Sequence, residues 1–440
     1  MGSRLLALVT RGWERFAGWH ANLGAVLLLS NVIMLSLFVF ITATGRDVYI
    51  NQETDFEEWW GTSTSLLETG VYGNKFESPT RMRQPFYPYF LAALRSIQGD
   101  SFEMLRLSQI VFILAGVLAA YYLARALWDH GVALAGALLV AVHPTLIFNA
   151  VLVVNDPHFI LFLLLGLICL VRVTQRPSIW LTLLAGALLG LAALTRPVVF
   201  PIPFLIGALW LLPWKFLPIS FSRRLTYAAA LIGIALVVML PWAIRNYNVM
   251  GAFTFLSSER GVSLWWAAQP GWRWGYFDPL VEARNLSEFY QIRGGTSFMT
   301  GHYFFSQATE EAFTQAAIRH ILVDPFTWAA RNTVKLALNL LLLPGANAWF
   351  GPVWLLVESF HLALLGLAAW GVARLRQIRR EHLLVLLVGL YFIPAHFPFY
   401  ITTRHFEPAI VIFALFAGYA LSRLLSPATS VEASPAARSD

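Results

Sequence analysis

The chain has 440 residues; 58% are hydrophobic, 12% are charged, and 31 Lys and Arg against 24 Asp and Glu give a net charge of +7. A soluble domain carries about 25% charged residues, so half that content leaves too little charge to solvate a globular surface of this length. These figures exclude a soluble enzyme, a disordered chain and a fibrous repeat, and they leave a polytopic membrane protein.

A bilayer core takes about 20 apolar residues in helix. Before the first such run, Arg4, Arg11 and Arg15 lie among Leu, Trp and Phe, which predicts a cytoplasmic interfacial helix within residues 1–21. The uncharged stretch 22–45 is one span, too long and too uniformly apolar for a cleaved leader. Apolar runs follow at 105–127, 132–151, 156–173, 178–195, 197–213 and 225–243, and again at 352–373, 382–399 and 406–424. Each predicts a helix, because a span must satisfy its own backbone polar groups. Pro144, Pro201, Pro203 and Pro394 should kink or break some of them. The sole cysteine, Cys169, sits in an apolar run, so an intrachain disulfide and a cysteine metal site are both impossible.

Short basic loops set the orientation. Arg125, then Arg172 and Arg176, then Lys215, Arg223 and Arg224, then Arg374, Arg376, Arg379 and Arg380 should be cytoplasmic. The basic excess therefore serves topology and points to no nucleic acid. With both termini inside, the apolar run 326–343 cannot be an ordinary single span and is expected to be interfacial or re-entrant. The expected organisation is an N-terminal membrane module 22–243 with a first outer loop 46–104, a second outer segment 244–351, C-terminal spans 352–425 and a disordered cytoplasmic tail 426–440. The fold class is all-α, with about 10–12 membrane helices and further helices lying along the outer face.

This topology gathers acids and arginines on one face. In Thr54-Asp55-Phe56-Glu57-Glu58-Trp59-Trp60, helical spacing puts Asp55, Glu58, Trp59 and Thr62 together. An acid beside aromatics at a membrane surface can be a general base; a solvated acidic helix is the competing reading. That helix should end at Gly70. Arg81 and Arg83 precede the stiff stretch Pro85-Phe86-Tyr87-Pro88 and could hold a phosphate or lipid headgroups. Asn155-Asp156-Pro157 reads first as a helix cap. Arg196 and Arg245 stand at outer helix ends, against the usual bias, which calls for a local anion. Glu358 and His361 share one face of an apolar helix, and a packed hydrogen bond and a functional site are both open. Gly186-xxx-Gly190 reads as helix packing. The sequence holds no P-loop, no HExxH and no GxSxG elbow.

In order along the chain stand Asp55, Leu67-Glu68-Thr69-Gly70-Val71-Tyr72-Gly73, Arg83-Gln84-Pro85-Phe86-Tyr87-Pro88-Tyr89, Thr195-Arg196-Pro197, Pro241-Trp242-Ala243-Ile244-Arg245-Asn246-Tyr247 and Arg404-His405-Phe406-Glu407-Pro408. This succession resembles the GT-C membrane glycosyltransferases, in particular glycosyltransferase family 39, the protein-mannosyltransferase-like branch, and the lipid A aminoarabinose transferases. The resemblance reaches to about Leu425 and implies a GT-C-like helical bundle in the bacterial plasma membrane, with the site on its outer face. It implies an inverting transfer of one sugar from a polyprenyl-phosphate carrier to a lipid, glycan or protein acceptor. Asp55 maps to the proposed base and Asp156 to a second acid. Relatives often carry Ser-Glu or Thr-Glu where Asn155-Asp156 stands, which shortens the carboxylate's reach. Arg81, Arg83, Arg196, Arg245 and Arg404 are the expected phosphate contacts, and Glu58, Tyr87 and His405 the expected substrate contacts. No metal ligands are assigned, and the need for a divalent metal is open. An oligosaccharide ligase or polymerase and a lipid-linked sugar flippase are the alternatives.

Overall fold

The computed structural model describes residues 12–13, 22–44, 54–73, 79–212, 216–269, 272–273, 276–277, 287–289, 291–292, 307–343, 351–375 and 377–425, without the side chains of 54–57, 272–273, 276–277 and 307. The Asp55 side chain, Arg4, Arg11 and Arg15 of the interfacial helix, Lys215, Arg376 and the tail 426–440 lie outside the described residues.

The chain opens with α1 (Asn22–Thr44) and α2 (Thr54–Thr69). α2 ends where Gly70 takes φ +72°, and the Gly70 N–H donates to the Leu66 carbonyl at 3.1 Å. That left-handed turn is why a glycine stands there. α3 (Phe86–Gln98) starts directly after Pro85, and α4 (Phe102–Leu127) is capped by Ser101, which accepts from the Met104 N–H. The apolar run 132–151 is split: α5 (His130–Ala141) stops before Pro144, and a short α6 (Pro144–Phe148) follows. A proline lacks the N–H that would continue the ladder.

Next come α7 (Asp156–Gln175) and α8 (Ile179–Thr195), a 3-10 turn Pro197–Val199, α9 (Ile202–Leu211) and α10 (Phe221–Met250), which continues through Pro241. After it lie α11 (Glu259–Ala268), a two-residue antiparallel ribbon pairing Trp272–Arg273 with Tyr276–Phe277, α12 (Gln307–Val323) and α13 (Pro325–Leu341). The chain closes with α14 (Trp354–Ala373), α15 (Arg380–Ala395), a 3-10 turn Thr403–Phe406 and α16 (Glu407–Leu425).

Among the described residues, α1, α4, α7, α10 and the helical stretches ending in α14 and α16 are long and apolar enough to cross a membrane by length and composition. α5, α8 and α9 are shorter apolar helices. The protein is a multi-pass membrane protein. Leu28, Val32, Val39 and Phe40 of α1 are exposed, as expected of side chains that face acyl chains instead of water. α16 is buried along nearly its whole length and packs against α5 and α14.

α8 and α10 pack closely because Gly186 and Gly190 lie between them: a Cβ on Gly186 would stand 2.5 Å from the Leu231 carbonyl oxygen, and one on Gly190 2.9 Å from that of Ala235. The pair is therefore a packing device. Glu358 and His361 also have a structural use. Both Glu358 oxygens accept the Leu343 N–H, at 3.2 and 3.1 Å, and His361 Nε2 donates to the Leu340 carbonyl at 2.8 Å. Together they tie the end of α13, whose last carbonyls lack intrahelical partners, to α14.

Candidate functional site

Asp156, the first residue of α7, is fully buried. Its Oδ1 lies 2.8 Å from a terminal nitrogen of Arg196, and its Oδ2 lies 3.6 Å from Nε of Arg404. Arg196 is the residue that ends α8, where its backbone N–H closes on the Ala192 carbonyl at 2.8 Å. Arg404 sits in the 3-10 turn before α16. One carboxylate thus joins three apolar helices through two guanidiniums. Asn155 makes no side-chain cap bond to the helix. Its Oδ1 accepts from Arg196 Nε at 3.3 Å, and its Nδ2 donates to the Thr195 carbonyl at 2.9 Å. Both side chains of the Asn155-Asp156 pair therefore hold Arg196.

Above this pair opens a cavity of about 750 Å³. Its charged lining includes Arg83, Arg196, Glu259, Arg260, Arg404 and Glu407, and His396 and His405 line it too; Trp59, Phe148, Leu152, Phe200, Leu256 and Tyr391 supply apolar wall. Cations beside a greasy wall suit an amphiphile with an anionic head. Asp156 is absent from that lining and underlies it.

Arg83 is held between two carboxylates, with Nε 2.5 Å from Glu58 Oε2 and a terminal nitrogen 2.6 Å from Glu259 Oε1. Its guanidinium lies 5.5 Å from the Trp59 ring centroid. The backbone there is fixed by Tyr72, whose hydroxyl donates to the Arg83 carbonyl at 3.0 Å and the Gln84 carbonyl at 3.3 Å. Burial pushes the Tyr72 hydroxyl far above its ordinary pKa, so it serves as a donor throughout the working pH range. Glu259 opens α11, and α11 is anchored in turn by the Tyr400 N–H donating to the Ser263 carbonyl at 3.1 Å.

Of the remaining expected residues, Arg81, Arg245, Tyr87 and Glu58 stand apart from the cavity lining. Arg81 is buried; it pairs with Glu310 of α12 at 2.7 Å, and its carbonyl accepts the Ser258 N–H at 2.9 Å. It borders a second cavity of about 550 Å³. Arg245 bridges two carbonyls, Thr80 and Tyr72, each at 2.7 Å, and lies 5.0 Å from the Trp242 ring centroid. Tyr87 is fully buried below Trp59, their rings edge to face at 5.2 Å, and burial pushes its hydroxyl well above the ordinary pKa. Glu58 touches the site through Arg83. His405 lines the cavity; its Nδ1 accepts from the Thr402 N–H at 2.9 Å, which places the proton of a neutral ring on Nε2.

Sequence reasoning missed Glu259, Thr145 and Asn149, and it quoted Glu407 without giving it a role. Glu407 is buried, and its Oε2 accepts from Asn149 Nδ2 at 2.7 Å. An acid opening the last apolar helix, two residues after His405, was the available signal. Glu259 carried none, since a Glu in a first helical turn is ordinary. Among the described residues no three His, Cys, Asp or Glu side chains form a metal-binding group.

Residues 79–244 match the family model described as dolichyl-phosphate-mannose-protein mannosyltransferase. Over 231 residues, 48% of this chain, the sequence is 28% identical to the undecaprenyl phosphate-alpha-4-amino-4-deoxy-L-arabinose arabinosyl transferase of Pseudomonas paraeruginosa. That match spans 39% of the relative's length. Among solved structures, the oligosaccharyltransferase of Archaeoglobus fulgidus tethered with an acceptor peptide aligns with a TM-score of 0.50 at 13% identity, covering 92% of this chain and 49% of that one. ArnT from Cupriavidus metallidurans bound to undecaprenyl phosphate aligns with a TM-score of 0.39 at 15% identity, covering 89% of this chain and 77% of that one. The chain has the GT-C fold, and it resembles the protein-mannosyltransferase-like and aminoarabinose-transferase-like branch of the GT-C membrane glycosyltransferases.

Proposed function

We propose that the protein is an inverting glycosyltransferase that moves one sugar from a polyprenyl-phosphate carrier to a lipid, glycan or protein acceptor. The observation that carries this reading is the joint placement of Arg83, Arg196, Arg404 and His405 on one cavity with an apolar flank. The names of the matched family and of the curated relatives, all lipid-phosphate-sugar transferases, support it.

In the proposed step the acceptor hydroxyl oxygen attacks the anomeric carbon, and the bond from that carbon to the phosphate oxygen breaks. The hydroxyl proton passes to the carboxylate of Asp55, and the polyprenyl phosphate leaves with the bonding electrons. The arginines stabilise charge as it grows on the leaving phosphate. Asp156 acts through them, holding Arg196 and Arg404 toward the cavity. Arg81 and Arg245 fix the first outer loop against its neighbours instead of meeting phosphate. Both termini are cytoplasmic, and the cavity opens on the periplasmic face of a bacterial plasma membrane. α13 lies along the interface, the segment 46–104 contributes the base, and 244–351 covers the site and chooses the acceptor.

The test is mass spectrometry of products from the purified chain offered several polyprenyl-phosphate sugars and acceptor extracts. Addition of one sugar, lost in Asp55→Asn, is the expected result. Undiminished transfer by Asp55→Asn overturns the base assignment. Transfer only from oligosaccharide donors supports a ligase or polymerase, and transport into proteoliposomes without a covalent product supports a flippase.

A further inference from the structure

Behind the cavity runs a chain of buried hydrogen bonds whose direction is fixed at one end. His361 Nε2 lies 2.8 Å from the Leu340 carbonyl, which can only accept, so Nε2 carries the proton. His361 Nδ1 lies 3.5 Å from His143 Nε2, and His143 Nδ1 lies 2.9 Å from Thr145 Oγ1. Both rings are fully buried, which favours neutral imidazoles, and a neutral ring has one donor and one acceptor nitrogen. With its proton on Nε2, His361 accepts at Nδ1. His143 then donates from Nε2 and accepts at Nδ1. The Thr145 hydroxyl must therefore give its proton to His143.

Thr145 lines the cavity. With its hydrogen committed to His143, it offers the cavity lone pairs alone. One helical turn on, Asn149 donates to Glu407 Oε2 at 2.7 Å, and both residues line the same cavity. The lining thus has two chemistries. Arg83, Arg196 and Arg404 suit a phosphate; Thr145 suits a group that donates a hydrogen bond.

We propose that Thr145, held as an obligate acceptor by the positioning residues His143 and His361, recognises a hydroxyl or amino group on the lipid-linked sugar. The inference rests on the donor reading above and adds a specificity-determining residue to it. Thr145 should discriminate between sugars and take no part in holding the carrier. An unmet acceptor against a deoxygenated position weakens binding, because the lone pair has already lost its water.

The test compares equilibrium binding of undecaprenyl phosphate and of undecaprenyl-phosphate mannose, glucose and arabinose to the full chain in detergent. For the tightest sugar-bearing carrier, Thr145→Val should weaken binding on the order of tenfold, one hydrogen bond's worth. Thr145→Ser should stay within about twofold of wild type. Bare undecaprenyl phosphate should bind all three alike. Nitrogen-15 spectra of the wild-type histidines add a readout independent of binding: His143 and His361 should both be protonated on Nε2. Equal binding of the sugar carrier by wild type and Thr145→Val overturns the proposal, as does equal weakening for the bare carrier or an Nδ1-protonated His143. A wild-type chain that binds no sugar carrier better than the bare one overturns the donor reading and this inference with it, whereas a discriminating wild type matched by Thr145→Val sinks this inference alone.

Discussion

Arg196 and Asp156 meet at 2.8 Å where one apolar helix ends and the previous one begins, and Arg404 reaches the other oxygen of the same carboxylate at 3.6 Å. Removing the shared anion leaves two guanidiniums in a buried site without their common partner. Breaking a buried pair from one side costs about 3–5 kcal/mol. Asp156→Asn should therefore lower the thermal midpoint in detergent and reduce sugar transfer by about 100-fold or more, the scale of such a loss in a buried site. The double variant Asp156→Asn/Arg196→Gln should recover part of the lost stability, since one of the two guanidiniums that faced the carboxylate is gone. An Asp156→Asn protein with wild-type melting and transfer would remove the pair from the mechanism.

Gly186 tests the packing of α8 on α10. A side chain there meets the Leu231 carbonyl at 2.5 Å and cannot be relieved by a rotamer change, because the obstacle is backbone. Gly186→Val should cost on the order of 1–3 kcal/mol from overpacking. Gly233 lies on α10, with nothing within 4 Å of its would-be Cβ, and serves as the control. Gly233→Ala should melt at or above the wild-type temperature. Equal melting of Gly186→Val and wild type would mean that the helices are farther apart than described.

Much of this was legible in the sequence because membrane helices announce themselves by length and apolarity. The runs at 105–127, 156–173 and 178–195 meet α4, α7 and α8 closely, and Pro144 and Gly70 act where proline and glycine chemistry says they must. What escaped was pairing. Asn155-Asp156 reads as a cap until the end of α8 is brought beside it, and Arg81 and Arg245 are indistinguishable from Arg196 by position along the chain. Their different partners, Glu310 for Arg81, two carbonyls for Arg245 and a buried carboxylate for Arg196, are properties of tertiary packing. Pro241 falls within the run 225–243, and α10 continues through it.

Asp324 gives a pH prediction. It caps α13 by accepting the Thr327 N–H at 3.1 Å, and its hydrogen bonds to Thr327 hold the carboxyl below its usual range. A depressed folded pKa means that the unfolded end binds protons first, so the cap's contribution is present above about pH 4 and is lost as pH falls through the lower folded value. Amide exchange at Thr327 and Trp328 should therefore speed up on acidification. Asp324→Asn keeps a capping oxygen and should flatten that dependence. An unchanged exchange profile in Asp324→Asn would show that the cap does not control the helix end.

Arg245 bridges the Tyr72 and Thr80 carbonyls with two nitrogens of one planar group. A lysine ammonium is a single point and cannot span both. Arg245→Lys should loosen the first loop, visible as faster cleavage by an added protease between Tyr72 and Thr80. Affinity for undecaprenyl phosphate should change by less than about threefold, since no phosphate contact is removed. A large loss of carrier affinity with an unchanged cleavage pattern would instead make Arg245 a phosphate ligand.

The arginines can be sorted against each other. Arg404 lines the main cavity, whereas Arg81 borders the smaller one and is paired with Glu310 at 2.7 Å. A charge-assisted bond to phosphate contributes about 1.5–3 kcal/mol. Arg404→Gln should thus weaken binding of undecaprenyl phosphate by about 10- to 150-fold at constant ionic strength. Arg81→Gln leaves the buried Glu310 with less compensation, so it should lower the melting temperature while its remaining folded fraction binds the carrier as wild type does. The two effects separate by method: titration reads the first, and thermal melting reads the second. If Arg81→Gln and Arg404→Gln lose carrier affinity equally and melt alike, the phosphate lies between the two cavities, and the main cavity is the place of the acceptor instead of the donor.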